Sequence, residues 1–333
     1  MEKQFINATS AGRVLNIAKR NPDDVFVEKF GQKWLDYRER WANASTNETI
    51  EDFPLFVRLE SQFKCNSNCA LCIHGHEKLK SEIAYDEYMS LNTFKKLVDE
   101  CVLNNCPSIA ISFINEPLMD ADFADRLQYV SNSGIMDIHL NSNAQLLTKE
   151  MSELIINSNV TRVCFSIDAA TEAVFKKMRP NLDYETVVSN INNFIKIRGE
   201  KKLPLVRVSF LLNEINAHEQ EDFRQKWSEK ADYISFQRYV PISIHDEDDL
   251  SRAKKEVPVE GGRRCSYPWE SLFVHGDGVV VPCAAHRGRY ISVGNINKNT
   301  LREIWHSDAM NELRAALKSG NLSNTKLCGT CLN

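Results

Sequence analysis

Three cysteines lie close together near residue 70, in the run Cys65-Asn-Ser-Asn-Cys69-Ala-Leu-Cys72. Thiolates are the usual ligands of iron–sulfur clusters, and a [4Fe–4S] cluster normally takes four of them. A loop that supplies three thiolates leaves one iron open to a small molecule with nitrogen and oxygen donors. A zinc site is the alternative, because His74 or His76 could supply a fourth ligand. The spacing, directly after a predicted strand, favours the open iron–sulfur site.

A second group of four cysteines lies in the last seventy residues, at Cys265, Cys283, Cys328 and Cys331. A four-cysteine zinc ribbon fits this count, although such ribbons usually show two CxxC knuckles and this group has one.

The composition excludes several classes of protein. The 333 residues are 43% hydrophobic and 26% charged, which indicates a globular chain rather than a disordered, collagen-like or coiled-coil one. The net charge of −4 does not favour nucleic-acid binding, and no apolar run is long enough to span a membrane. The first twenty residues lack the apolar core of a secretory signal, so we expect a cytoplasmic protein. In a reducing cytosol, clustered cysteines indicate metal ligands rather than disulfides.

Six predicted strands alternate with helices in the middle of the chain. The strands are predicted at residues 54–60, 108–114, 135–141, 162–167, 205–212 and 233–237. The helices are predicted at residues 91–104, 121–132, 149–157, 184–198 and 217–230, the first with Asn92 as its N-cap. This alternation predicts an α/β fold with a parallel sheet, as a partial barrel because a complete one needs eight units. The active site should lie at the carboxyl ends of the strands, where the first cysteine group falls.

The rest of the chain divides into smaller parts. We predict a polar, partly helical N-terminal extension at residues 1–50, the barrel at 51–240 and a linker or flap at 241–264. A separate small module follows at 265–333. Its strands flank the turn Gly276-Asp-Gly278, which is a strong hairpin signal, and a helix is predicted at 301–317.

The CxxxCxxC motif after a first strand resembles that of the radical S-adenosylmethionine (SAM) superfamily, whose members fold as partial (β/α)6 barrels. The resemblance covers about residues 51–240 and implies that Cys65, Cys69 and Cys72 bind a [4Fe–4S] cluster whose open iron chelates SAM. It also implies a flavodoxin- or ferredoxin-type reductant. One electron would then cleave SAM to a 5′-deoxyadenosyl radical, which removes hydrogen from an unactivated carbon.

Two further motifs imply contacts to SAM in the first half of the barrel. The run Ile114-Asn115-Glu116-Pro117 is similar to the family's Gly-Gly-Glu-Pro, with both glycines replaced. The similarity implies that Asn115 and Glu116 bind SAM, with Glu116 at the methionine ammonium. Leu71 stands where the family places an apolar residue against adenine.

Other matches lie in the second half of the barrel. The run Phe165-Ser166-Ile167-Asp168 is similar to the family's Ser-Ile-Asp motif and implies that Ser166 and Asp168 contribute to SAM binding. Arg179 matches a common arginine partner of the SAM carboxylate. Asn213, at the end of the fifth predicted strand, resembles a ribose or adenine contact.

The C-terminal module resembles the SPASM/twitch extension that follows many radical SAM barrels. Full SPASM modules bind two auxiliary clusters with about seven cysteines, whereas this module has four. The resemblance therefore implies one auxiliary [4Fe–4S] cluster held by Cys265, Cys283, Cys328 and Cys331. The spacing is similar to that of twitch-type dehydrogenases that oxidise a secondary alcohol of an aminocyclitol.

These resemblances predict a radical SAM oxidoreductase that acts on a small polar, carbohydrate-like substrate. Radical epimerases and decarboxylases of sugars and peptide-modifying maturases are alternatives within the group. Cys164, which shares strand parity with Ser166, is the candidate hydrogen donor of an epimerase. A metal-binding or electron-carrier protein without catalytic activity is the alternative of a different class.

Overall fold

The computed structural model describes residues 5–8, 14–76, 87–239, 265–283, 291–322 and Cys328. The predicted linker at 241–264 and Cys331 lie outside the described residues. Within the described residues, eleven strands form one sheet, in which six central strands are flanked by two N-terminal strands on one side and three C-terminal strands on the other. None of the described helices combines the length and the apolar character that a membrane span needs.

The six central strands are parallel and follow one another in chain order, as in the predicted partial barrel. They are β3 (Phe56–Leu59), β4 (Ser108–Ala110), β5 (Asp137–Ser142), β6 (Arg162–Ser166), β7 (Leu205–Leu212) and β8 (Tyr233–Arg238). Because neighbouring strands point the same way, their carboxyl ends meet at one mouth of the barrel.

Helices on the outside of the barrel connect these strands. They are α3 (Leu91–Leu103), α4 (Phe123–Ser131), α5 (Lys149–Ile156), α6 (Glu172–Met178), α7 (Tyr184–Arg198) and α8 (Gln220–Trp227). The prediction of Asn92 as the cap of the first of them is wrong. Ser90 caps this helix, since its hydroxyl accepts a hydrogen bond from the amide of Thr93 at 3.0 Å.

Alternate residues of the barrel strands face opposite environments. Val57, Leu59, Val206 and Val208 are at most 1% exposed and belong to the main hydrophobic core under the helices. The residues between them face the barrel lumen, because successive strand side chains point to opposite faces. This lumen face carries polar and charged side chains: Arg58, His139, Asn141, Ser166 and Arg207.

The N-terminal residues cover the amino end of the barrel. Strands β1 (Phe5–Ala8) and β2 (Val14–Ala18) form a hairpin, and β2 pairs antiparallel with β8. Helices α1 (Pro22–Phe30) and α2 (Gln32–Asn47) follow, with the rings of Phe26 and Trp34 stacked at 4.3 Å. The guanidinium of Arg162, the first residue of β6, lies 4.3 Å from the Phe26 ring. The two helices therefore close the barrel at the end opposite the predicted active site.

The C-terminal module continues the barrel sheet. It contains α9 (Tyr267–Glu270), β9 (Ser271–Val274), β10 (Val279–Val281), β11 (Gly294–Asn295), α10 (Leu301–Trp305) and α11 (Asp308–Ser319). Strands β9 and β10 form the predicted hairpin, and β9 pairs in parallel with β3. The turn needs glycine at Gly278, where φ is +87°.

The single helix predicted at residues 301–317 is wrong. The chain forms α10 and α11 with a break at His306 and Ser307. The break occurs because Ser307 caps a new helix, its hydroxyl accepting a hydrogen bond from the amide of Met310 at 3.3 Å.

Candidate functional site

The first cysteine group lies on a loop that leaves β3 at the carboxyl end of the barrel. The amide of Cys72 donates to the Cys69 carbonyl at 3.1 Å, and the amide of Ala70 donates to the Met178 carbonyl at 3.0 Å. Only glycine fits at Gly75, because a Cβ atom there would lie 2.2 Å from the Cys69 carbonyl oxygen. The loop is therefore wound tightly and tied to the chain after α6.

The three thiols of this loop are half-buried and free of disulfides. Burial raises the pKa of each thiol, that of Cys72 to about 11. Binding to iron would displace those protons, since a coordinating thiol is deprotonated. Three polar groups approach the sulfurs. Ser67 Oγ lies 3.1 Å and Arg179 Nη1 3.6 Å from Cys69 Sγ, and Asn143 Nδ2 lies 3.9 Å from Cys65 Sγ.

Among the described residues, no three His, Cys, Asp or Glu side chains converge closely enough to hold a single metal ion. The ligands of a [4Fe–4S] cluster need not converge on one ion, because each thiolate binds a separate iron at a corner of the cluster. Three thiols spread over one wound loop fit that arrangement. The donor set of Cys65, Cys69 and Cys72 is all sulfur, which is the ligand type that iron–sulfur clusters take.

Glu116 is a buried carboxylate next to this loop, 2% exposed. Its Oε1 accepts hydrogen bonds from Ser142 Oγ at 2.8 Å and the Leu118 amide at 3.2 Å, and its Oε2 accepts one from the Asn143 amide at 2.7 Å. No described cation forms an ion pair with it, and burial raises its pKa to about 7. A buried carboxylate that forms no direct ion pair fits an incoming ammonium group, as the predicted SAM contact requires.

We expect Glu116→Ala to weaken SAM binding about 10- to 100-fold, because a charge-assisted hydrogen bond contributes about 1.5–3 kcal/mol. Glu116→Gln, which keeps the shape of the side chain, should lose most of the same affinity. Wild-type affinity should also fall as the pH drops below about 7, since Glu116 then takes up a proton. Equilibrium binding of SAM, with iron content as the control for an intact cluster, measures these effects. Wild-type affinity in both variants would remove Glu116 from the site.

Asp168 holds Arg179 beside the cysteine loop. Asp168 adopts a φ of +65°, which turns its carboxylate toward Arg179 Nη2 at 2.6 Å and the Leu211 amide at 2.7 Å. The same guanidinium donates toward Cys69 Sγ. The carboxylate of Asp168 is thus already paired, and the predicted contact of Arg179 with the SAM carboxylate stays a prediction.

The other predicted SAM contacts lie at the same end of the barrel. Ser166 ends β6 on the lumen face and pairs with Ser209 of β7. Leu71 is 4% exposed and belongs to the main core. The side-chain oxygens of Asn115 and Asn213 accept hydrogen bonds from nearby amides, those of Phe113 at 3.0 Å and Ile215 at 2.8 Å. Both asparagines therefore shape their own turns, and their role toward SAM also stays a prediction.

Cys164 lies on the lumen side of β6 and is 5% exposed. Its neighbour across the strand pair is Arg207 of β7, whose guanidinium lies beside the thiol. The register places Cys164 two residues deeper in the barrel than Ser166. Its assignment as a hydrogen donor stays a prediction.

Three of the four cysteines predicted to hold the auxiliary cluster are described. Cys265 precedes α9 by two residues, Cys283 follows β10 by two residues, and Cys328 lies beyond α11. All three are half-buried and free of disulfides. An all-sulfur donor set with partial exposure fits a cluster ligated by cysteine.

A buried pair that sequence reasoning missed joins the C-terminal module to the cysteine loop. Glu60 Oε2 lies 2.5 Å from His275 Nδ1, and both side chains are at most 1% exposed. Glu60 Oε1 accepts hydrogen bonds from the amides of Ile114 and Asn115, each at 3.1 Å. One carboxylate therefore fixes both the turn before Glu116 and the start of the β9–β10 turn. No local signal indicates this pairing, because 215 residues separate the partners.

Two family models match the chain. The model described as "Radical SAM superfamily" matches residues 59–225, and the SPASM model, described as "Iron-sulfur cluster-binding domain", matches residues 265–332. The first match covers the strands and loops of the site, and the second covers all four cysteines of the C-terminal group.

Curated relatives match part of the chain. A probable GTP 3′,8-cyclase of Methanococcus maripaludis is 26% identical over 203 residues, 60% of this chain and 65% of the relative. A probable GTP 3′,8-cyclase of Methanocaldococcus jannaschii is 24% identical over 187 residues, which cover 56% of this chain and 59% of the relative. An S-adenosyl-L-methionine-dependent 2-deoxy-scyllo-inosamine dehydrogenase of Niallia circulans is 32% identical over 86 residues, 26% and 32% of the two chains. The chain thus spans less than two thirds of the length of these relatives.

Solved structures share the fold over most of the chain. The structure of BtrN in complex with AdoMet and 2-DOIA has a TM-score of 0.55 at 15% identity, covering 86% of this chain and 95% of BtrN. The structure of Streptococcus suis SuiB bound to S-adenosylmethionine has a TM-score of 0.61 at 14% identity, covering 85% of this chain and 73% of SuiB. Since a radical SAM model matches half of the sequence and a SPASM model matches its last part, the cofactors are SAM and [4Fe–4S] clusters, one that binds SAM and one auxiliary. The chain belongs to the radical SAM superfamily and carries a SPASM domain.

Proposed function

We propose that the protein is a dehydrogenase-type radical SAM oxidoreductase that acts on a C–H bond of a small polar, carbohydrate-like substrate. The observation that carries this proposal is the lumen of the barrel. Polar and charged side chains line it, and α1 and α2 close its amino end. Such a lining favours a small polar substrate over an apolar one.

In this proposal each group of residues has a separate role. Cys65, Cys69 and Cys72 hold the SAM-binding cluster, and Glu116 and Arg179 take the ammonium and the carboxylate of SAM. Leu71, Asn115, Ser166, Asp168 and Asn213 shape the rest of the SAM site. Cys265, Cys283, Cys328 and Cys331 hold the auxiliary cluster. A flavodoxin- or ferredoxin-type protein supplies the reducing electron.

The proposed oxidation removes one hydrogen atom, one proton and one electron from the substrate. Bound at these residues, the cofactors supply a 5′-deoxyadenosyl radical and, at the auxiliary site, an electron acceptor. The substrate carbon gives its hydrogen atom to that radical, which becomes 5′-deoxyadenosine. The neighbouring hydroxyl would then lose its proton to solvent, one electron would pass to the acceptor at the auxiliary site, and a carbonyl group would result. The product is two mass units lighter than the substrate.

Two observations support dehydrogenation over the alternatives. The auxiliary cysteine spacing is similar to the dehydrogenase pattern, and the relative of Niallia circulans is a SAM-dependent dehydrogenase. Epimerisation would need a hydrogen donor, and the candidate thiol of Cys164 lies two residues below the level of Ser166. GTP cyclisation is a second candidate, because probable GTP 3′,8-cyclases match over as many as 203 residues.

A substrate screen with the reconstituted protein and a chemical reductant tests the proposal. We expect sugars, cyclitols or their derivatives to stimulate release of 5′-deoxyadenosine, with a product two mass units lighter detected by mass spectrometry. GTP should give neither result. An unchanged mass together with one solvent deuterium in heavy water would instead identify an epimerase, and cyclised GTP would identify a cyclase.

A further inference from the structure

Two arginines project into the barrel lumen from opposite walls. Arg58 lies in the middle of β3, and Arg207 lies on β7, which is separated from β3 by three strands of the sheet. The two guanidinium groups are close enough to repel each other, and the Cys164 thiol lies near both. Two like charges therefore face one space.

Among the described residues, the Arg58 guanidinium has no hydrogen-bond acceptor, and that of Arg207 contacts only the thiol of Cys164. The Nε atoms of Arg58 and Arg207 are buried and make no hydrogen bond. The terminal nitrogens of the two arginines form no ion pair with a described carboxylate, and the thiol of Cys164, the side chain beside Arg207, is only a weak acceptor. Burial, followed by repulsion from Arg207, lowers the pKa of Arg58 to about 10. Buried donors without acceptors are costly, so an arrangement of this kind indicates a partner that the chain itself does not supply.

The acidic groups of the lumen are already paired elsewhere. Glu60 accepts hydrogen bonds from two backbone amides and contacts His275. Asp137 pairs with Arg162 and His139 at the amino end of the barrel. These two carboxylates therefore pair with other groups and form no ion pair with Arg58 or Arg207.

Aromatic rings account for only part of the environment of Arg58. The rings of Phe56, Phe113 and Phe273 lie 5.4, 5.8 and 5.7 Å from its guanidinium carbon. Stacked rings stabilise the cation through its faces and hold it in place. They leave the N–H groups at its edge without acceptors, and those groups match the two oxygens of a carboxylate or phosphate.

We propose that Arg58 and Arg207 form an oxyanion subsite in the lumen, so that the substrate carries a carboxylate or a phosphate group. This inference rests on the proposed function, in which the substrate enters the lumen. It narrows the substrate class from polar molecules in general to acids or phosphate esters. The anion would lie beside Cys164 and orient the rest of the molecule toward the carboxyl end of the barrel.

The test measures anion binding without any turnover. Isothermal titration of the reconstituted holoenzyme with inorganic phosphate and with acetate, against chloride at equal ionic strength, should show saturable binding to the wild type. Arg58→Gln and Arg207→Gln should each weaken that binding by roughly ten-fold or more. Arg58→Lys keeps the charge but not the paired N–H groups. Its anion affinity should therefore lie between those of the wild type and Arg58→Gln. The anion that binds more tightly identifies phosphate or carboxylate as the group recognised.

Arg302→Gln is the matched control, because Arg302 is exposed and bonds Asn104 outside the lumen. Its anion affinity should equal that of the wild type. Far-UV circular dichroism and iron content establish that each variant is folded. The proposal is overturned by a wild type without saturable binding of either anion, or by both glutamine variants retaining wild-type affinity. Since no SAM is cleaved in the titration, its result stands apart from that of the substrate screen.

Discussion

Replacing Cys65, Cys69 and Cys72 together with alanine is expected to abolish SAM cleavage. The reconstituted protein should hold about eight irons, four for each of two [4Fe–4S] clusters, and the triple variant about four. We expect this loss because, in the proposed site, the loop after β3 supplies all the protein ligands of the SAM-binding cluster. Iron and sulfide analysis and chromatography of 5′-deoxyadenosine measure both effects.

Cys101→Ala is a suitable control for this experiment. Cys101 is fully buried on the core face of α3 and outside both cysteine groups, so its loss should leave the iron content and SAM cleavage unchanged. Anaerobically purified wild-type protein with one or two zinc ions and no sulfide would contradict the cluster assignment. A triple variant that still cleaves SAM would contradict it as well.

The second large effect is expected when Cys328 and Cys331 are both replaced with alanine. The variant should still cleave SAM, because Cys65, Cys69 and Cys72, the proposed ligands of the SAM-binding cluster, remain. It should fail to make the product two mass units lighter, since the oxidation needs an acceptor for the second electron. Product mass and 5′-deoxyadenosine, measured in the same reaction, separate the two steps.

Two outcomes would assign the auxiliary cysteines a different role. A folded double variant that still makes the oxidised product would show that the cluster only stabilises the module, as structural metal sites do. Aggregation of the variant would support the same structural role. Conservative Cys→Ser replacements, checked by circular dichroism, provide a second set of variants for the measurement.

Local sequence patterns were sufficient for the parts of the fold that depend on local structure. The CxxxCxxC loop after β3 and the hairpin around Gly278 are both where the sequence places them. The alternation in Val57-Arg58-Leu59 and Val206-Arg207-Val208 also contained a signal for the lumen arginines, because a charge between two buried residues must face the other side of a strand.

Contacts between distant parts of the chain could not be predicted in this way. The pairing of Glu60 with His275 and the packing of Phe26 against Arg162 join residues more than a hundred positions apart. The predictions of helix ends were wrong for a different reason. Ser90 and Ser307 each compete with neighbouring residues for the N-cap, and the side chain whose oxygen reaches a free amide decides the boundary.

The parallel pairing of β9 with β3 makes the C-terminal module part of the barrel rather than a detachable appendage. Without β9, the backbone N–H and C=O groups along one side of β3 would become a free sheet edge, which is a template for aggregation. The carboxylate of Glu60 would also lose His275 while remaining buried. A module exchanged from a related barrel would therefore have to pair with the edge of β3 and supply a partner for the buried Glu60, in addition to supplying the cysteines.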